Sequence, residues 1–114
     1  MSGYEKGYVK ISPSKARKAI KENPYILLVD VREPEEYYSA HIPGSINIPL
    51  QTLGWGIMNM SLSPYYPIIC YCKTGIRAAS AANMLAGMGF QNVYTMGGIK
   101  NWPYETIGYG GWNL

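Results

Sequence analysis

Short apolar runs alternate along this chain with segments patterned as helices, and that alternation narrows the fold more than any other feature. Tyr25 to Val31 is a nearly continuous apolar stretch broken only by Asp30 near its end, the pattern of a parallel strand buried on both faces. Tyr8-Val9-Lys10-Ile11, Ser45 to Ile48, Ile68 to Tyr71 and Asn92 to Met96 read as four further strands. Between them, Ser12 as N-cap and Pro13 at the first helical position predict a helix over Ser14 to Glu22, stopped by Asn23-Pro24. Its Ala16, Ala19 and Ile20 share one side, while Lys15, Arg17, Lys18 and Lys21 form a solvated face. Glu33 to Ala40 reads as a short second helix. Arg77 to about Met88 is rich in alanine and apolar almost all round, so it is expected to be buried, with Gly87 and Gly89 as its stop. A last short helix is expected near Trp102-Pro103. Strands alternating with helices predict an α/β fold: a central five-stranded, mainly parallel sheet with helices on both faces and a reactive site beyond the carboxyl ends of the strands.

The 114 residues suffice for one core, so residues 1–114 are read as a single domain, with a core over about 8–104 and a glycine-rich tail over 105–114 in which Gly108-Tyr109-Gly110-Gly111 is expected to be mobile. Two cysteines separated by a single residue make no disulfide framework, and reduced thiols are expected. One histidine, His41, is too little for a zinc constellation, so neither a metal nor a cofactor is expected. A net charge of +3 and scattered lysines and arginines form no nucleic-acid stripe. Prolines and polar residues interrupt every candidate membrane span, and Met1 to Lys6 lacks the apolar centre of a signal peptide. The expectation is a soluble, cytoplasmic protein.

Chemistry concentrates in Cys72-Lys73-Thr74-Gly75-Ile76-Arg77. The strand-like run before it delivers Cys72 to the end of a sheet, Gly75 allows the backbone to turn with positive φ, and the helix that follows directs its free N–H groups back over the sulfur. A thiolate, the reactive form of cysteine, is stabilised where such N–H groups, a helix N-terminus and a cation converge. The loop reads as an anion cradle with a nucleophile at its base. A lone cysteine before a helix is more often a buried apolar residue, yet Lys73, Gly75 and Arg77 around it are not what a core position needs.

Several separated segments together resemble the rhodanese family of sulfurtransferases. Leu28-Val29-Asp30-Val31-Arg32 followed by Glu35-Glu36-Tyr37 is similar to the first signature of that family, and His41-Ile42-Pro43-Gly44-Ser45-Ile46-Asn47-Ile48-Pro49 to the second. Cys72 to Arg77 is similar to its active-site loop, and Gly97-Gly98-Ile99 with Trp102 to its C-terminal signature, so the likeness runs from about Tyr8 to Tyr104. It implies a rhodanese-like fold and sulfur transfer through a Cys72 persulfide, from a donor such as thiosulfate or a protein persulfide to cyanide or a thiol. Lys73, Thr74, Gly75, Ile76 and Arg77 would bind substrate and persulfide, with Lys73 as a point charge where many relatives carry arginine. Asp30 and Arg32 would support the loop, and Glu36 is a candidate ion-pair partner for Arg32. His41 is expected to hydrogen-bond to backbone in a structural turn, where Ala40 stands in place of the glycine relatives often have. Trp102 and Gly97-Gly98 are expected to serve the fold. Cys70 reads as a core thiol, with a redox role left open.

Two other readings stand beside this one. Cysteine phosphatases place five residues between cysteine and arginine, whereas four separate Cys72 from Arg77, a narrower cradle that favours a sulfur atom. A rhodanese-like module that binds a protein or relays sulfur is the second. Tyr37 to Cys72 contains no Asp, Glu, Lys or Arg; within it Trp55 to Met60 is expected to be mostly buried, and any exposed part would form a partner or dimer contact.

Overall fold

The computed structural model describes residues 7–109. Five strands, β1 (Val9–Lys10), β2 (Leu27–Asp30), β3 (Ile46–Asn47), β4 (Ile68–Cys72) and β5 (Val93–Gly98), form one sheet in the order β1-β5-β4-β2-β3, with every neighbouring pair parallel. The helices are α1 (Pro13–Glu22), α2 (Pro34–Ser39), α3 (Leu53–Met58) and α4 (Ile76–Gly87). Parallel neighbours need crossovers, and the helices supply them.

Alternation along each strand divides the core in two. Val29, Ile68, Cys70, Cys72 and Val93 face one side, against Leu53 and Ile57 of α3 and Ala78, Ala81, Ala82 and Leu85 of α4. Leu28, Ile69, Tyr71 and Met96 face the other, against Ala16 of α1, Ile42 and Trp102. Alanines on α4 let it lie close to the sheet. In α1 the Ser12 side chain accepts the Lys15 N–H at 3.1 Å, and Pro13 occupies the first turn as its sequence predicts. At the far end of α4 the Gly89 N–H reaches the Ala86 carbonyl, and Gly89 at φ +101° turns the chain so that the Phe90 N–H reaches that of Leu85, which satisfies both carbonyls.

Several expectations are corrected. The fifth strand runs on to Gly98, because Gly98 pairs with Cys72 beyond a register shift in β4. The last helix is a single 3-10 turn, Ile99–Asn101, which ends before Trp102. α4 is one-sided rather than buried all round: Ile76 is 78% exposed, and Met84 and Met88 also meet solvent. In the uncharged stretch Leu53 and Ile57 are buried as expected, but Trp55 and Met58 are 76% and 68% exposed, because a six-residue helix lying on the sheet can turn only one stripe inward. Nor does a free tail begin at residue 105. Ile107 and His41 exchange backbone hydrogen bonds of 2.7 and 2.9 Å, and the Tyr109 N–H donates to the Tyr38 carbonyl at 2.7 Å. Gly110 and Gly111, the remainder of the expected mobile segment, lie outside the described residues. Ala40 has φ −165°, extended backbone open to any residue, so an alanine costs nothing there. Among the described residues no helix is long and apolar enough to cross a membrane.

The junction of β5 and the loop after β4 leaves no room for side chains. A Cβ on Gly98 would overlap the Lys73 carbonyl, while one on Gly87 would meet nothing within 4 Å. Gly98→Ala is therefore expected to destabilise the protein by about 2 kcal/mol or more. Gly87→Ala, within α4, should stabilise it by roughly 0.5 kcal/mol through helix propensity. Urea denaturation of both variants checks the opposite signs.

Candidate active site

Cys72 is the last residue of β4, and its side chain points to the face covered by α4. Gly75 caps α4 at φ +115°, a conformation that costs glycine little and other residues more, and it offers no side chain to the helix. The sulfur takes that role. Cys72 Sγ accepts the Gly75 N–H at 3.0 Å and the Ala78 N–H at 3.3 Å. Of the N–H groups from Lys73 to Arg77 expected to converge on the sulfur, Gly75 is the one that does so. Ala78, one residue further, supplies the second donor, because α4 begins at Ile76 rather than Arg77 and the third helical residue is the one that faces a cap. Cys72 is 1% exposed, so its sulfur lies beneath the surface of the loop.

Arg77 braces the loop from outside. Its guanidinium donates to both Glu36 carboxylate oxygens, at 2.7 and 3.0 Å, and Glu36 also accepts the Glu33 N–H at 3.0 Å within the first turn of α2. Glu36 was expected beside Arg32; it pairs with Arg77 instead, because Arg32 is taken. Buried Asp30 accepts from Arg32 Nε and Nη2, the latter at 2.7 Å, and from the Arg32 backbone N–H at 2.9 Å. The second use of Arg32 Nη2 is the Ala40 carbonyl at 2.6 Å, at the end of α2. Thus Asp30 and Arg32 hold α2, and α2 holds Arg77.

Two residues in this frame escaped the sequence reading as contributors. Asn47 donates to the carbonyls of Asp30 and Arg32 at 3.0 and 2.9 Å, tying β3 to the end of β2. Tyr71, fully buried, accepts the Ile42 N–H at 3.0 Å. Ser45 Oγ gives its proton to the Ile42 carbonyl, so the Tyr71 hydroxyl donates to Ser45 Oγ at 3.0 Å. Burial, reinforced by the Asp30 charge, pushes the Tyr71 hydroxyl well above its usual range and keeps it a neutral donor. The available signal was the single polar atom on an otherwise apolar run, which must find a partner when buried.

His41 stacks on Tyr37 with ring centroids 3.8 Å apart, and its Nδ1–H donates to the Tyr37 carbonyl at 2.8 Å, since a carbonyl can only accept. Its place is in the turn beside Tyr71. Cys70 is wholly buried, and desolvation, with a smaller contribution from Cys72, pushes its thiol up to about 12; at neutral pH it is an uncharged core group. Among the described residues no group of three His, Cys, Asp or Glu side chains is placed to hold a metal.

Residues of the loop line two open clefts. One, of about 690 Å³, is lined by Thr74, Gly75 and Ile76 together with Tyr8, Lys10 and Ser80. The other, of about 510 Å³, is lined by Lys73 and Lys100 together with Arg32, Glu36, Ser39 and Thr106.

The sequence matches the family model of the rhodanese-like domain over residues 12–105. It is 34% identical over 105 residues to the thiosulfate sulfurtransferase GlpE of Pseudomonas syringae pv. syringae (strain B728a), covering 88% of this chain and 95% of that protein. In three dimensions it is similar to a rhodanese with anions from E. coli, with TM-score 0.68 and 30% identity over 74% of this chain and 99% of that one. It is also similar to a 30 kDa polysulfide-sulfur transferase homodimer from Wolinella succinogenes, with TM-score 0.78 and 29% identity over 95% of this chain and 84% of that one.

The hydrogen bond from Arg77, followed by that of the Glu33 N–H, holds the Glu36 carboxyl at about 2 against an ordinary 4.5, although burial opposes the shift. A carboxyl lowered on folding stabilises the folded state above its unfolded value and loses that contribution as pH falls towards its folded one. Between pH 6 and 2 the wild type is therefore expected to lose more stability in urea than Glu36→Gln does, with the divergence beginning below about pH 4.5. Parallel curves would mean that the pair contributes nothing.

Proposed function

The chain belongs to the rhodanese-like domain family of sulfurtransferases, and on that premise we propose that it moves a sulfane sulfur from a donor such as thiosulfate to a thiophilic acceptor through a persulfide on Cys72. The observation that carries this reading is the sulfur of Cys72 at the carboxyl end of β4, accepting two N–H groups at the start of α4. Donors already aimed at a sulfur suit a sulfur that bears negative charge, and they need no rearrangement when it does.

In the first half-reaction the Cys72 thiolate attacks the outer sulfur of thiosulfate. An S–S bond forms to Cys72, the S–S bond of thiosulfate breaks, and sulfite leaves with the electron pair. In the second, cyanide or a thiolate attacks the terminal persulfide sulfur, and Cys72 departs as the thiolate. Both steps have the form of thiol–disulfide exchange and depend on a good leaving group rather than on a general base. His41, committed to the Tyr37 carbonyl, has no part to play in them. The near-complete burial of Cys72 suits a donor whose reacting sulfur protrudes from the molecule.

Lys73, exposed and adjacent to Cys72, attracts the anionic donor as a point charge. Thr74, Gly75 and Ile76 form the rim, and Gly75 contributes an N–H to the sulfur. Arg77 positions the loop through Glu36. Asp30 and Arg32 act one layer further out, through the placement of α2. A second reading, a module that takes sulfur from a protein persulfide or docks on a protein, draws on the exposed Trp55 and Met58.

Incubation with thiosulfate followed by intact-protein mass spectrometry is expected to show a gain of one sulfur atom on the wild type and none on Cys72→Ser, with cyanide removing the sulfur as thiocyanate. Absence of the gain on the wild type would transfer the assignment to the second reading. Arg77→Ala should lower kcat/KM by about tenfold or more through the loop, and Cys70→Ser should leave it within about twofold of wild type. Loss of transfer in Cys70→Ser would exchange the roles given to the two thiols.

A further inference from the structure

The larger part of the charge around the loop is already paired: Arg32 with Asp30, and Arg77 with Glu36. Lys73 and Lys100 are different. Both are exposed, both line the cleft of about 510 Å³, and neither makes an ion pair among the described residues. Their closeness is built into the backbone. Gly98 pairs with Cys72, the Lys100 N–H donates to the Lys73 carbonyl at 3.1 Å, and the missing side chain of Gly98 is what lets that carbonyl approach. The 3-10 turn Ile99–Asn101 therefore presents Lys100 at the same mouth as Lys73. The acidic group lining this cleft, Glu36, is neutralised by Arg77, so the unbalanced charge there is two ammonium groups.

We infer that Lys100, together with Lys73, is the specificity-determining site for the charge of the sulfur donor, and that it selects dianions over monoanions. The inference rests on the sulfur-transfer reading above and deepens it. Across several ångströms of water a unit charge pair changes affinity about threefold at low salt, so losing one ammonium costs a monoanion about threefold and a dianion about tenfold. Since both lysines are exposed, added salt screens the effect.

The test compares wild type, Lys100→Gln, Lys100→Arg and, as a control with the same net-charge change on α1, Lys18→Gln. The donors are thiosulfate, a dianion, and methanethiosulfonate, a monoanion that yields its outer sulfur by the same attack with methanesulfinate leaving. At low salt Lys100→Gln is expected to raise KM about tenfold for thiosulfate and about threefold for methanethiosulfonate. Its kcat should stay unchanged, Lys100→Arg should resemble wild type, and 0.5 M salt should remove most of the difference. Equal effects on the two donors, or a Lys100→Gln indistinguishable from Lys18→Gln, would overturn the inference. A direct binding measurement separates this outcome from failure of the transfer reading. In Cys72→Ser, which cannot react, thiosulfate should still shift the amide NMR signals of Lys73 and Lys100, with weaker binding when Lys100→Gln is added. No shift there sinks the site, whatever the turnover assay shows.

Discussion

The buried Asp30–Arg32 ion pair organises the end of the sheet that carries the Cys72 loop. Asp30 is at the last position of β2, fully buried, and its carboxylate is satisfied by the side chain and backbone N–H of Arg32. Breaking such a pair by removing one partner typically costs about 3–5 kcal/mol, because the remaining charge stays buried without a counter-ion. Here the cost would extend beyond the pair. Arg32 also holds the Ala40 carbonyl, Asn47 bonds the Asp30 and Arg32 carbonyls, and α2 carries Glu36 to Arg77. A charge in the floor of the fold thereby fixes an arginine on the rim of the loop.

Above that floor, a sulfur performs the work of an N-cap. A helix start leaves N–H groups without partners, and Gly75 has no side chain with which to satisfy them. Cys72 Sγ accepts two such groups, so the helix start and the buried sulfur satisfy one another. The same economy places β5 against the loop: Gly98 has no side chain because the Lys73 carbonyl occupies that space, and the carbonyl in turn receives the Lys100 N–H. The register of β4 against β5 thus determines how Lys73 and Lys100 sit together as well as the sheet.

The buried pattern was legible where periodicity and capping agree. Ser12-Pro13 marks the start of α1, the apolar run into Asp30 marks a central strand, and Gly89 closes α4, each by a local rule. Pairings between distant segments were less legible. Glu36 is a candidate partner for Arg32 in the sequence, but in the fold Asp30 takes that guanidinium and Arg77 reaches Glu36 from 41 residues further along the chain. The antiparallel bridge between His41 and Ile107 could not be read from a glycine-rich segment whose composition signals a loose end.

By itself the sequence determined the α/β alternation, the strand that runs to Tyr71 just before Cys72 and the loop of four residues before Arg77, because these depend on short-range preferences of strand, turn and helix start. The tertiary structure decided which N–H groups meet the sulfur, which carboxylate holds Arg77, and that Lys100 stands beside Lys73. Those outcomes depend on the register of parallel strands and on the direction in which each crossover helix returns. Both are set only when the two faces of the sheet bury their apolar residues together.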